Sequence, residues 1–134
     1  MELKKSYKGF IIWMLGFCAV CFILPFCPVK DTGVLLRIID NICTIGIALL
    51  AFIIYKTEYV YWYNGTTYEE AVKAGSERRK AFAWQHLKRF GLFALVFLVF
   101  SVMMQVMNMT YWIDIIVAVI GLVAVAISTI NIKL

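Results

Sequence analysis

The sequence predicts an all-α membrane protein, a four-helix transmembrane bundle with both termini in the cytoplasm. Four apolar stretches each come close to the roughly 20 residues that a helix needs to cross about 30 Å of hydrocarbon. A hydrophobic fraction of 63% lies well above the roughly 45–50% of ordinary soluble domains. The predicted spans are 9–26, 33–55, 91–107 and 113–132.

The distribution of basic residues predicts the orientation. Of the 13 Lys and Arg residues, all but Lys30 and Arg37 lie in the N-terminal tail, in the connection between spans two and three, or at the C-terminus. Cytoplasmic segments of membrane proteins carry such an excess of positive charge. We therefore expect an N-in, C-in topology in a plasma membrane, and the short connections favour a bacterial inner membrane.

The length of the chain indicates a single integral membrane domain over residues 1–134. Four spans and one connecting segment leave no room for a separate soluble catalytic domain. The first apolar run follows Lys4, Lys5 and Lys8, as in a secretory signal, but it is longer than the roughly 7–15 residues of a signal core and ends at Leu24-Pro25 without a small-residue cleavage site. It is interpreted as a retained span.

The connection over residues 56–90 is the one stretch with space to meet a soluble partner. An Asn-Gly turn at positions 64–65 precedes two overlapping candidates for a capping box, Thr66 with Glu69 and Thr67 with Glu70. In either case the hydroxyl accepts from a free backbone N–H, and the glutamate lies at the positive end of the helix dipole. The pattern predicts a short amphipathic helical segment at the cytoplasmic face.

That segment is predicted to form two helices. The first covers about Tyr68–Ala74 and ends at Gly75, and the second begins near Ser76 and runs into span three. The second helix interleaves basic and bulky apolar residues, as in a segment that lies at the membrane interface. The alternative interpretation is positive-inside bias without a specific site. The candidate contacts of this second helix with lipid or a partner are Arg78, Arg79, Lys80, Trp84, Lys88 and Arg89.

Polar side chains within the spans form a second candidate site. A charge at the bilayer centre costs at least about 2.5–3.5 kcal/mol, so such residues often mark function. Arg37 has two possible partners, Asp40 on its own helix and Asp114 across the bundle. The structural alternative is that these groups hold the helices together, at about 0.6 kcal/mol per hydrogen bond. The predicted outward-facing polar pocket comprises Arg37, Asp40, Asn41, Gln105 and Asp114.

Enzymatic interpretations find less support, and we predict no catalytic residue, metal site or cofactor. Cys18 and Cys21 have the spacing of a redox pair and suggest a membrane thiol oxidoreductase as an alternative. Both lie deep in span one, where a thiolate is disfavoured. A lone histidine, His86, does not make a typical multi-histidine metal site, and no phosphate-binding loop is present.

These observations predict a small non-enzymatic protein that acts as an accessory or assembly component. Its cytoplasmic segment would contact anionic lipid or a partner, which could be a second copy of the chain or another membrane protein. Nucleic acid is not an expected partner, because the basic residues follow the membrane topology. The alternative is an oligomeric transporter or channel for ions or small solutes, with the polar pocket on its path.

Overall fold

The computed structural model describes residues 3–63 and 65–134, and its regular structure there is entirely helical. Four helical stretches are long and apolar enough to span a membrane, the first of them only when its 3₁₀ turn is included (Lys8–Phe26), which agrees with the predicted all-α class and helix number. Short 3₁₀ turns follow the first and second helices at Leu24–Phe26 and Val60–Trp62. The main helices are α1 (Lys8–Ile23), α2 (Thr32–Thr57), α3 (Tyr68–Val106) and α4 (Tyr111–Ile130).

The bundle has two dissimilar ends. At the first, here called the basic end, the N-terminal tail, the α2–α3 connection and the C-terminus meet. Tyr68 donates a hydrogen bond to the carbonyl of Leu3 at 2.6 Å, and Arg78 donates to the carbonyl of Leu134 at 3.2 Å. At the other, here called the short-loop end, lie the α1–α2 and α3–α4 connections.

The local signals in the α2–α3 connection are confirmed. Of the two capping-box candidates, Thr67 and Glu70 form the box: the Thr67 hydroxyl accepts from Glu70 N–H, and the Glu70 carboxylate accepts from Thr67 N–H. Gly75 has a φ of 77° and breaks α3 where the sequence places the break. The turn predicted at positions 64–65 includes Asn64, which lies outside the described residues.

The helices pack unequally. Contacts are concentrated among α2, α3 and α4, whereas no residue of α1 is buried. The Phe17 ring of α1 lies over Gly46 of α2, and the Phe93 ring of α3 lies over Gly121 of α4 in the same way. Because a glycine offers no Cβ, each pair of helices can approach closely at these points. The bundle is thus a three-helix core with α1 against its side.

A buried cluster fastens the α2–α3 connection to the bundle. It contains residues from the end of α2, the 3₁₀ turn and both parts of α3, and partly buried residues of both chain ends pack against it. Its members are Ile54, Val60, Tyr61, Ala71, Phe82 and Ala83. The connection therefore forms part of the folded core and does not extend as a separate surface helix.

The N-terminal tail is held by aromatic side chains of the same cluster. Tyr61 accepts from Ser6 N–H at 2.9 Å and donates to Ser6 C=O at 2.8 Å. The Trp62 indole also donates to Ser6 C=O, at 3.0 Å. These bonds fix the segment before α1 against the α2–α3 connection.

Candidate functional site

A polar network joins three helices near the short-loop end. Arg37 of α2 lies with its Nε 3.2 Å from Asp114 Oδ2 of α4 and donates from Nη2 to the Met109 carbonyl at 2.5 Å. Its Nη1 also donates to Gln105 Oε1 of α3. The arginine is 7% exposed and Asp114 is fully buried. Of the two partners that the sequence allows for Arg37, the structure selects Asp114.

Two further side chains complete this network. Ser101 donates to Asp114 Oδ2 at 2.8 Å, and Asn41 donates to Ser101 Oγ at 3.0 Å and to the Arg37 carbonyl at 2.8 Å. Ser101 is not among the predicted pocket residues, although it lies one helical turn before Gln105. Its position on the same face of α3 is the sequence signal that identifies it.

Acceptor atoms of the network and of the nearby Asp40 have no donor among the described residues. Asp114 Oδ1, Asn41 Oδ1 and Asp40 Oδ2 are buried and have no hydrogen-bond partner among the described residues. A buried polar atom without a partner costs roughly 1–3 kcal/mol. Such atoms could accept from a proton donor or an ordered water.

The predicted polar pocket is therefore present in altered form. Arg37, Asn41 and Gln105 line a cavity of about 290 Å³ between α2 and α3, together with Ser101 and apolar side chains. Asp114 lies behind this wall, bonded to Arg37. Asp40 makes no hydrogen bond to the described residues, so the structure brings together four of the five predicted side chains.

A second buried ion pair lies at the basic end. Glu58 Oε2 accepts from Arg79 Nε at 3.0 Å and from Nη2 at 2.8 Å, while Ser76 donates to Oε1 at 2.7 Å. Arg79 also donates to the Ala71 carbonyl at 3.0 Å, and Lys80 Nζ lies 3.5 Å from Oε1. Glu58 has a left-handed φ of 60°, which ends α2 and brings its carboxylate to α3.

The charge state of Glu58 follows from these partners. Burial acts to raise the pKa of its carboxyl group, but the hydrogen bonds from Ser76 and Arg79 and the charges of Arg79 and Lys80 outweigh burial. The pKa therefore lies below its ordinary value, and Glu58 is ionised at neutral pH. The pair joins the end of α2 to α3 as a charged and fully hydrogen-bonded contact.

The candidate contact residues of the α3 extension divide by exposure. Arg79 is 3% exposed and is used by Glu58, so it is not available to a lipid or an external partner. Arg89 is half-buried and donates to the Ser128 carbonyl of α4. The members on the exposed surface are Arg78, Lys80, Trp84 and Lys88.

Three of the exposed residues form a stripe along α3. Lys80, Trp84 and Lys88 are four residues apart and lie on one side of the helix. The same side continues toward the short-loop end with exposed apolar residues, beginning at Leu92 and Leu95. On this side of α3 an apolar surface that suits lipid chains is therefore directly followed by a surface with two ammonium groups and an indole. The second surface, formed by Lys80, Trp84 and Lys88, is here called the Lys80–Lys88 stripe.

His86 lies on the opposite, inner side of the extension. Its ring stacks on that of Tyr63 with centroids 4.2 Å apart and lies 4.5 Å from the ring of Phe82. Burial lowers the pKa of His86; a hydrogen bond to the Phe82 carbonyl opposes this effect and the charge of Arg89 adds to it. The pKa stays below its ordinary value, so the ring is neutral at pH 7.

The structure places Cys21 beside a cysteine of another helix, a neighbour that its sequence spacing from Cys18 does not predict. Cys18 is exposed on the apolar surface of α1, and Cys21 lies beside Cys43 of α2. All four are free thiols. Within the described residues no group of three or more His, Cys, Asp or Glu side chains is placed to hold a metal ion.

Comparison with known proteins does not identify a function for either end of the bundle. No family model, curated protein or solved structure matches this chain. The function is therefore argued from the contacts, exposures and charges given above.

Proposed function

We propose that the chain is a non-enzymatic accessory membrane protein whose basic end contacts anionic lipid headgroups on the cytoplasmic side. The observation that carries the proposal is the Lys80–Lys88 stripe, which continues the lipid-facing side of α3. Excess positive charge supports the cytoplasmic assignment of this end. The proposal favours lipid over a soluble partner because the stripe begins where the apolar surface ends.

The aromatic residue in the stripe supports a position at headgroup depth. Trp84 is 52% exposed, and its ring lies 5.6 Å from that of Tyr55 at the end of α2. Indole and phenol rings settle at membrane interfaces because one part is apolar and the other forms hydrogen bonds. Lys80 and Lys88 lie one turn to either side of Trp84, and their long side chains can extend to the layer of lipid phosphates.

The stripe is presented on a fixed support. The buried cluster and the Glu58–Arg79 pair hold the α3 extension against α2, so the backbone that carries the two lysines is already ordered when lipid binds. Each basic residue near an anionic surface contributes about 1 kcal/mol of attraction. Lys80 also lies 3.5 Å from Glu58 Oε1, which takes up part of its charge. Two lysines then supply at most about 2 kcal/mol, an upper limit of roughly 30-fold for the preference for anionic over neutral headgroups.

A lipid-quenching experiment tests the proposal. The protein is reconstituted into phosphatidylcholine vesicles that contain a minor share of brominated phosphatidylglycerol or, in parallel, of brominated phosphatidylcholine. The quenching that depends on Trp84 is the difference between the wild type and Trp84→Phe. We expect this difference to be larger with the brominated anionic lipid, because Lys80 and Lys88 concentrate it beside the indole.

The control separates local charge from net charge. Lys80→Gln/Lys88→Gln should remove the preference for the anionic quencher, whereas Lys30→Gln at the short-loop end should leave it unchanged. Equal quenching by the two brominated lipids in the wild type would show that the stripe does not select anionic headgroups and would refute the proposal.

A specific observation also favours a second candidate, ion or small-solute transport at the short-loop end. The unused acceptors of Asp40 and Asp114 beside Arg37 are the kind of groups that proton pathways employ. Proton flux into proteoliposomes, followed with an internal pH-sensitive dye, tests this candidate. Transport predicts flux in the wild type that Asp40→Asn abolishes; absence of flux, or strictly monomeric protein in mild detergent, argues against it.

A variant pair at the same end separates the network from the surface. If the network serves transport or assembly, Arg37→Ala should impair it far more than Lys30→Ala does. Lys30 is exposed and has no part in the network, so it reports the effect of losing a positive charge at that end. Equal and negligible effects of the two variants would remove the second candidate.

A further inference from the structure

A large cavity opens among α2, α3 and α4 toward the basic end. Its volume is about 720 Å³, within the range of roughly 300–1,000 Å³ that is usual for small-molecule sites. Side chains from the second half of α2 and the second half of α4 make most of its wall apolar. These include Ile47, Leu50, Val123, Ile127 and Ile130. The wall is suited to a hydrocarbon chain.

A second cavity of about 450 Å³ continues from the first. The two share five lining residues, among them Thr66, Phe82 and Ile130, so they are adjacent. The second cavity is bordered by Lys73, Arg78 and Lys133, which are all exposed.

One acid, Glu70, also borders this second cavity. Its carboxylate is used by the capping box with Thr67, whose N–H and hydroxyl both bond to it. Arg78 donates one hydrogen bond to the Leu134 carbonyl, also at this cavity, and keeps its charge. Three positively charged side chains therefore face one carboxylate that is already hydrogen-bonded. The opening is complementary to an anionic headgroup.

Two polar side chains in the wall of the first cavity, Tyr63 and His86, have an atom with no hydrogen-bond partner among the described residues. The hydroxyl of Tyr63 is buried without a hydrogen-bond partner in the described part of the chain. The Nδ1 of His86 faces the Phe82 carbonyl at 3.0 Å and so carries the proton, which leaves Nε2 with a free lone pair in the neutral ring. The wall of the first cavity thus contains one donor and one acceptor that the described residues leave unused.

We propose that the two cavities together bind one molecule of an anionic lipid. Its hydrocarbon chain occupies the apolar cavity, and its charged headgroup lies among Lys73, Arg78 and Lys133. The site rests on the proposed function in one respect, that the basic end lies in an anionic leaflet. It differs from the Lys80–Lys88 stripe, which meets many lipids in turn on the outer surface of α3.

Native mass spectrometry of the purified protein tests whether the apolar cavity binds the hydrocarbon chain of the lipid. Delipidated protein in detergent receives phosphatidylglycerol or, in parallel, phosphatidylcholine. We expect one retained phosphatidylglycerol per chain. Ala126→Phe fills the apolar cavity and should weaken retention about tenfold, the loss of roughly two buried methylene groups. Ala124→Phe is the matched control, an exposed alanine of α4 outside the cavity.

Charge variants test the headgroup half. Lys73→Gln/Arg78→Gln should remove the preference for phosphatidylglycerol over phosphatidylcholine, and Lys80→Gln/Lys88→Gln should leave the retained lipid unchanged. Inorganic phosphate should not displace the lipid, because phosphate has no hydrocarbon chain to occupy the apolar cavity. Displacement by phosphate would overturn the lipid assignment in favour of a small-anion site.

The outcomes separate this site from the proposed function. Equal retention by Ala126→Phe and Ala124→Phe, or equal binding of the two lipids by the wild type, would overturn the site. The quenching preference of the Lys80–Lys88 stripe would persist in that case. Conversely, loss of that preference with retained phosphatidylglycerol would refute the stripe and keep the cavity site.

Discussion

The Arg37–Asp114 pair and the Arg79–Glu58 pair are both buried and both join α2 to another helix, yet their surroundings differ. Each oxygen of Glu58 has a hydrogen-bond donor, and Arg79 approaches it with two nitrogens. Asp114 accepts from Arg37 and Ser101 on Oδ2, whereas its Oδ1 has no donor among the described residues. The pair at the basic end is saturated, and the pair at the short-loop end is not.

This difference separates a structural contact from a candidate for chemistry. A buried ion pair offsets its desolvation cost only when further hydrogen bonds satisfy the remaining atoms. Glu58 meets that condition, so its pair holds the α3 extension that presents the Lys80–Lys88 stripe. Asp114 retains acceptor capacity, which is costly in a membrane and is the feature that a transport role would explain.

The largest expected effect is at the saturated pair. Arg79→Ala leaves Glu58 buried beside one exposed lysine and should lower the free energy of unfolding by about 3–5 kcal/mol. Thermal unfolding in detergent, followed by circular dichroism, measures the loss. Lys80→Ala is the control: its exposed ammonium group should contribute at most about 1 kcal/mol. Similar losses from both variants would show that burial of the pair does not matter.

A smaller loss is expected at the unsaturated pair. Arg37→Gln removes the charge that faces Asp114, but the glutamine keeps amide donors on this side of the network and Ser101 still donates to Asp114 Oδ2. The free energy of unfolding should fall by about 1–3 kcal/mol, less than for Arg79→Ala. The same melting experiment compares the two variants directly. A loss at Arg37 equal to or larger than that at Arg79 would contradict the distinction between the pairs.

The stability of the basic end should depend on pH through His86. Burial, helped by Arg89 and opposed by the bond to the Phe82 carbonyl, holds the pKa of His86 below its ordinary 6.5 in the folded chain. The unfolded chain therefore binds a proton first, and the stability present above pH 6.5 is lost as pH falls toward the folded pKa.

Melting temperatures at about pH 7.5 and about pH 5.5 should differ in the wild type and differ less in His86→Phe. The Glu58 carboxyl group does not contribute in this window, because its pKa lies below 4.5. An equal pH dependence in the two proteins would show that His86 is not buried as a neutral ring.

The smallest stability effect is expected for Asp40→Asn. Asp40 makes no hydrogen bond to the described residues, and the substitution preserves its size, so the free energy of unfolding should change by no more than about 0.5 kcal/mol. The same thermal melt checks this. A large loss would place Asp40 in the network as a structural member and would make its effect on proton flux uninformative.

Much of the fold can be predicted from short-range sequence patterns and from the spacing of apolar residues. The four apolar runs predicted the helices, and the pairing of Thr67 with Glu70 and the glycine at position 75 predicted how α3 begins and breaks. Each of these depends on residues within a few positions of one another. The same holds for Arg37 and Asn41 of the predicted polar pocket, which lie one turn apart on α2: both bond to α3, and Arg37 also bonds to Asp114 of α4.

The missed features depend on packing between distant segments. The sequence does not single out Glu58, because its buried ion pair depends on a left-handed backbone conformation and on Arg79, 21 residues later. Arg79 in turn was expected at the surface, since a run of basic residues does not reveal which member the helix turns inward. The choice of Asp114 over Asp40 as the partner of Arg37 depends on helix rotation, which charge spacing does not fix.

The measurement that tests the account most directly is the lipid composition around the chain in its own membrane. Protein is extracted with a polymer that retains the neighbouring bilayer, and its lipids are quantified by mass spectrometry against those of the whole membrane. The account predicts enrichment of anionic phospholipid around the wild type and reduced enrichment around Lys80→Gln/Lys88→Gln. A wild-type composition equal to that of the whole membrane would contradict it.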